Sequence, residues 1–202
     1  LSLRHPNLIQ LLGGCWTLED VNVCIVLELC EKGTLDNLLE KEPTRSRLSW
    51  AKHKLPIATG VARGMTYLHA QRPPIIHRDL KPANVLLGAD LTPKVGDMGT
   101  ALEMADGAEE KVAGAGTPLF QAPEVLRREQ ADERCDVWSY GCVLCCLSTR
   151  SINPYHPVPP AKAIELVEQL KLQPRAPRES PLGGVVDIAT ELEYEDRTSF
   201  EE

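Results

Sequence analysis

The sequence predicts an α+β fold in which helices dominate and the sheet is fragmentary. Near the start lie two apolar, β-branched-rich runs, "HPNLIQLLGGCW" and "NVCIVLEL", the pattern of paired strands. In "RLSWAKHKLPIATGVARGMTYLHA" the apolar residues Ile57, Val61, Met65 and Leu68 recur at helical spacing, so a long amphipathic helix is expected. The segment "DVWSYGCVLCCL" is apolar on nearly every face, as a helix at the centre of a helical lobe must be.

Taken in order, "TLED" between the two apolar runs reads as a turn, giving strand, turn and strand. "KGTLDNLLE" is a short helix opening at Thr34. In the long helix, Pro56 either starts the regular part or kinks it, because proline has no N–H to donate. From Arg72 to Glu124 the chain is rich in Pro and Gly and poor in periodic runs. Loops and short strands are expected there, carrying functional side chains rather than packing. "PPAKAIELVEQLKL" is a further helix closed before Pro174, and "PLGGVVDIATELEYEDRTSFEE" supplies one or two more.

At 202 residues, 43% hydrophobic and 25% charged, the chain can bury a substantial core. A net charge of -7 without a Lys/Arg block argues against nucleic acid as a partner. The longest apolar run, Val137 to Leu147, is far shorter than the ~20 residues of a bilayer span. No signal peptide is visible, so a cytoplasmic location is expected, with tethering through sequence outside this chain left open. Of the seven cysteines, Cys15, Cys24 and Cys30 fall in strand-like segments and Cys142, Cys145 and Cys146 on one apolar helix. Reduced, buried thiols are expected rather than a disulfide framework or a zinc knuckle.

The stretch "IIHRDLKPANVLL" holds His77, Arg78, Asp79, Lys81 and Asn84. They match H-R-D-L-K-P-x-N, the catalytic loop of protein kinases, at each defined position. Downstream, "VGDMGT" has Asp97-Met98-Gly99 where that family has Asp-Phe-Gly, "GTPLFQAPEVL" carries an Ala-Pro-Glu ending at Glu124, and "YEDRTSFEE" resembles the family's closing D-x-x-R-P-S-F. The chain therefore resembles a protein kinase domain of serine/threonine type, closest to the tyrosine-kinase-like group. The resemblance runs from His5 to Phe200.

It implies ATP and Mg²⁺ as cofactors and protein serine or threonine hydroxyls as substrates. Asp79 would orient the attacking hydroxyl, Lys81 would approach the γ-phosphate, Asn84 and Asp97 would bind magnesium, and Thr117 would contact the catalytic aspartate. Met98, a flexible thioether, would fill the slot that Phe occupies. Leu27, Glu28 and Cys30 would form the hinge that meets adenine, with Leu86 beneath the ring, although Leu27 and Leu86 read equally well as plain core. His77, with Leu11 and Met98, would serve packing. Arg78 would meet a regulatory phosphate, and Gly99 closes the Asp-Met-Gly turn. Glu124 would pair with Arg197 in the interior, since a buried carboxylate is costly alone. Asp136 would hold the catalytic-loop backbone, and it also reads as a simple helix N-cap.

Absent from these 202 residues are the family's glycine-rich loop, strand lysine and helix glutamate. The expectation is one kinase domain lacking its start, with residues 1–30 the end of the N-lobe and hinge and residues 31–202 the C-lobe. Such a chain alone should be weakly active or inactive. The alternative is a catalytically silent interaction module. Between Asp97 and Glu124 the only hydroxyl residues are Thr100 and Thr117. The acids Asp106, Glu109 and Glu110 are therefore expected to offer Arg78 fixed negative charge in place of a phosphate, unless they form only a solvated loop.

Overall fold

The helix expected around Ile57 forms for a packing reason: its apolar stripe has a core to face. A computed structural model of the chain describes residues 3–16, 23–41, 47–104 and 115–200. The turn "TLED" and the acids Asp106, Glu109 and Glu110 lie outside the described residues. Helix α2 spans Leu55–His69 and buries Ile57, Val61, Met65 and Leu68. Each such side chain contributes about 1.5–3 kcal/mol when fully buried. Pro56 sits in its first turn, where the missing N–H costs nothing. Before it, Trp50–Lys54 winds as a π-helical turn, so the proline marks the change of winding.

Helix α1 is Leu35–Glu40, and α3 is the single turn Pro123–Leu126. Helix α4, Arg134–Thr149, is buried without interruption from Cys135 to Leu147. Helix α6, Gly183–Ala189, packs against it, while α5, Pro160–Glu168, packs against α3 and the 3₁₀ turn Pro118–Phe120. Helix α5 stops short of the expected Leu172 because Leu170 takes a left-handed backbone (φ 57°). Tyr140 of α4 donates its hydroxyl to Ala58 O of α2 at 3.1 Å, which ties the two long helices. Among the described residues no helix is long and apolar enough to cross a membrane.

Three two-stranded antiparallel sheets complete the fold: β1 (Leu11–Trp16) with β2 (Val23–Leu27), β3 (Ile75–Ile76) with β6 (Leu102–Glu103), and β4 (Val85–Leu87) with β5 (Pro93–Val95). The first apolar run is a strand only in its second half. Residues His5 to Ile9 instead dock on β5, with Ile9 N donating to Val95 O at 2.8 Å and Val95 N to Asn7 O at 2.8 Å. Two glycines one turn apart in α2 make room for this segment. A Cβ at Gly60 would sit 2.4 Å from Pro93 Cγ, and one at Gly64 would sit 2.7 Å from Asn7 O.

The cysteine expectation needs correction in part. Cys142, Cys145 and Cys146 are buried free thiols in α4, but Cys15 and Cys24 are exposed and Cys30 is half-buried. A strand places alternate side chains on opposite faces, and the β1–β2 pair has an open face. Leu11 is likewise 58% exposed and does not join His77 and Met98 in the core.

Candidate active site

Strand β3 delivers the chain into the loop His77–Lys81, and a 3₁₀ turn over Pro82–Asn84 returns it to β4. Arg78 takes a left-handed backbone (φ 66°), which is costly for a residue with a Cβ. The buried carboxylate of Asp136 offsets that cost. It accepts from His77 N at 2.7 Å, from Arg78 N at 2.9 Å and from His69 Nε2 at 3.0 Å. Burial pushes the Asp136 carboxyl up, but the His69 hydrogen bond and the nearby histidine rings more than offset it and hold it below the usual carboxylate range. Asp136 is not the N-cap. It lies in the first turn of α4, whose N-cap is Glu133, so its side chain serves the loop instead of its own helix.

His77 is fully buried with both ring nitrogens engaged. Nδ1 accepts from Asp79 N at 3.2 Å and Nε2 lies 2.9 Å from Gly96 O. A carbonyl only accepts, so Nε2 is the nitrogen that donates here. The imidazole thus bridges the catalytic loop to the residue before Asp97. Gly96 N donates in turn to Asn84 O at 2.9 Å, which brings Asp97 beside Asn84.

Asp79 collects three side-chain donors. Thr117 Oγ1 donates to Oδ1 at 2.7 Å, while Lys81 Nζ at 2.7 Å and Asn84 Nδ2 at 3.0 Å donate to Oδ2. Lys81 Nζ also donates to Thr117 Oγ1 at 2.6 Å. Burial raises the Asp79 pKa, yet the Lys81 and Thr117 hydrogen bonds, the Lys81 charge and the Asn84 amide outweigh it, so the group is held ionised below the ordinary aspartate value. A carboxylate offers about four lone-pair sites. Three are taken by these side chains.

Thr117 reaches Asp79 because of a residue that motif reading passed over. Gly116 has φ +95°, and a Cβ there would lie 2.3 Å from Arg78 O. Only glycine fits so close an approach. His69 reads in the sequence as structural or exposed, and nothing in its spacing along α2 names Asp136, 67 residues on, as its partner.

The Asn84 amide nitrogen is spent on Asp79 O, at 2.8 Å, and on the Asp79 carboxylate, which leaves its Oδ1 as the outward acceptor. Asp97, exposed and left-handed (φ 59°), has its Oδ1 at a long 3.4 Å from Gly99 N. The Asn84 amide oxygen and the Asp97 carboxylate are hard oxygen donors of the type that a small divalent cation such as Mg²⁺ takes. Met98 opens the 3₁₀ turn Met98–Thr100 and packs half-buried against the core. Arg78 Nε donates to Thr100 O at 2.5 Å.

Along the hinge-like segment Leu27–Cys30, Leu27 and Leu29 are exposed and Leu86 on β4 is half-buried. The Glu28 N–H is not free, since it donates to Gln10 O at 3.0 Å. Its carboxylate meets Lys94 Nζ at 3.0 Å. Among the described residues the Glu28 carbonyl and the Cys30 N–H have no backbone partner. Farther off, Arg197 grips Glu124 with two hydrogen bonds of 2.7 and 3.2 Å, both side chains buried, and lies over the Trp138 ring.

Residues 1–202 match the family model described as protein tyrosine and serine/threonine kinase. The chain belongs to this protein kinase family. Among curated relatives, a probable serine/threonine-protein kinase drkB of Dictyostelium discoideum is 37% identical over 89% of this kinase chain and 25% of its own length. Serine/threonine-protein kinase CTR1 of Arabidopsis thaliana is 39% identical over 82% of the chain and 20% of its own length. Mitogen-activated protein kinase kinase kinase 13 of Mus musculus is 40% identical over 78% of the chain and 15% of its own length. The kinase chain thus spans about a quarter or less of the relatives it matches.

Proposed function

We propose that the protein transfers the γ-phosphate of ATP to serine or threonine hydroxyls of protein substrates. The observation that supports this best is the Asp79 carboxylate: ionised, fixed by Thr117, Lys81 and Asn84, and left with one acceptor site for a hydroxyl. In this reading Asp79 orients the substrate hydroxyl and takes its proton as the new P–O bond forms and the γ-phosphorus parts from its bridging oxygen, which leaves with ADP. Lys81, already between Asp79 and Thr117, places its positive charge where the phosphoryl oxygens gather. Thr117 holds the carboxylate rotamer. The Asn84 Oδ1 and the Asp97 carboxylate would hold Mg²⁺, which when bound offsets phosphate charge and fixes the nucleotide's orientation. The Glu28 carbonyl and the Cys30 N–H, lacking backbone partners, would receive the adenine edge, with Leu86 beneath the ring.

The names of the relatives support serine/threonine over tyrosine specificity, as does Lys81 in "HRDLKPAN". The test is a phosphotransfer assay with labelled ATP, Mg²⁺ and a mixed Ser/Thr/Tyr peptide library, using the protein that carries this chain. Phosphate should appear on Ser and Thr, and Asp79→Asn should lower kcat by about 10² to 10⁴. Turnover that survives Asp79→Asn unchanged would refute the role given to Asp79, and no turnover in the unaltered protein would leave a binding module.

A further inference from the structure

We infer that Cys15 and Cys24 form a cross-strand dithiol that a small-molecule disulfide closes into a Cys15–Cys24 bond. The two residues are direct partners in the antiparallel β1–β2 register, and both are exposed free thiols. Opposed residues in such a pair have Cβ atoms about 4.5–5.5 Å apart. A disulfide asks for about 3.5–4.5 Å between Cβ atoms, so a small closure of the strands suffices. Opposed side chains share a face of the sheet. The next pair on that face is Gly13 with Val26. Gly13 adds no side chain, and nothing lies within 4 Å of where its Cβ would be, so a reagent can approach from that side.

The remaining thiols are poor competitors. Burial raises the Cys30 thiol pKa, with the Glu28 charge adding to it. Cys135, Cys142 and Cys146 are pushed up by burial, and Cys145 to about 12. The thiolate is the attacking species, so exchange is directed to the hairpin.

With oxidised glutathione as the reagent, the Cys15 thiolate attacks one sulfur, forms a mixed disulfide and expels one glutathione thiolate. The Cys24 thiolate then attacks the Cys15 sulfur, and the second glutathione leaves. Two protein thiols are oxidised, one glutathione disulfide is reduced, and the two protons end on the two glutathiones. The bond would tie β1 to the strand that continues into Leu27–Cys30, so the modification would stiffen the entry to the hinge-like segment. This inference rests on the strand register and thiol exposure and is independent of the proposed phosphotransfer.

The experiment is to incubate the protein with oxidised glutathione at neutral pH, titrate thiols in denaturant and map the peptides. The titre is expected to fall by two from the seven cysteines of the sequence. The mapped product should be a peptide joining Cys15 to Cys24 with no retained glutathione, and dithiothreitol should restore the titre. Cys24→Ser should instead retain a glutathione adduct on Cys15. An unchanged titre, stable glutathione adducts on both residues, or linkage to Cys30 would each overturn the proposal.

Discussion

Asp136 holds the backbone of His77: its Oδ2 accepts the His77 N–H at 2.7 Å from the first turn of α4, 59 residues away along the chain. Its other oxygen takes Arg78 N at 2.9 Å. One carboxylate thereby fixes the loop that presents Asp79, and it does so from the most deeply buried helix of the fold.

Asp136→Ala should strip two loop N–H groups and His69 of their acceptor and destabilise the protein by about 3 kcal/mol or more. The folded-state pKa of Asp136 lies below its ordinary 3.8. Its stabilisation is therefore fully present above that value and is lost as pH falls through the folded pKa. Urea unfolding at stepped pH should show a constant gap between wild type and variant from about pH 5 upward, narrowing on acidification. A gap that widens in acid contradicts the assignment.

Arg197 is the only cation in hydrogen-bond contact with buried Glu124 among the described residues. Arg197→Ala should cost about 3–5 kcal/mol, because it leaves a buried charge uncompensated. Arg197→Ala combined with Glu124→Gln should recover part of that loss in a denaturation cycle. Additive losses would show that the two side chains do not act as a pair.

Gly116→Ala should lower kcat with less effect on stability, since its Cβ would displace Arg78 O and with it the Thr117–Asp79 bond. The positive φ adds strain of order 1–3 kcal/mol. Gly13→Ala, with open space at its Cβ, is the control and should leave kcat unchanged. Equal effects at the two glycines would argue against close packing at Gly116.

Lys54 is buried, with its ammonium 4.4 Å from the centre of the Trp50 ring. Desolvation, with a smaller effect from Arg150, lowers its pKa from 10.5 to about 8. The charged form is thus penalised in the folded state. The penalty is complete below pH 8 and is relieved as pH rises from there towards 10.5. Lys54→Met should stabilise the protein at neutral pH by roughly 2 kcal/mol, an advantage that shrinks in alkali. Thermal melts across that range measure it, and a neutral-pH loss of stability would contradict it.

Much of the fold was legible because its signals are local. Four apolar positions of α2 face the core at the spacing read from the sequence, and α4 is buried on all sides as its composition requires. The first strand was placed too early because Leu8 and Ile9 extend the apolar run that opens β1. Its docking on β5 depends on Gly60 and Gly64, whose meaning appears only once Pro93 and Asn7 lie against them. Asp136 was read both as a cap and as a loop support. A carboxylate in a first turn suits the helix dipole either way, and only the position of His77 decides which neighbour it serves.

By itself, the sequence determined which chemistry-bearing residues are present and in what order. Asp79, Lys81 and Asn84 lie within six residues of one another, so their types and spacing are written into one loop. The tertiary structure decided which atoms meet: Thr117 on Asp79 across 38 residues and Arg197 on Glu124 across 73, contacts that the family resemblance implied, and Gly116 against the Arg78 carbonyl, which nothing in the sequence marked. The reason is that a buried polar group must find a partner wherever the chain brings one. Left-handed residues such as Arg78 and Asp97 persist only where distant packing holds them. Those conditions belong to the assembled fold, and no local pattern of residues records them.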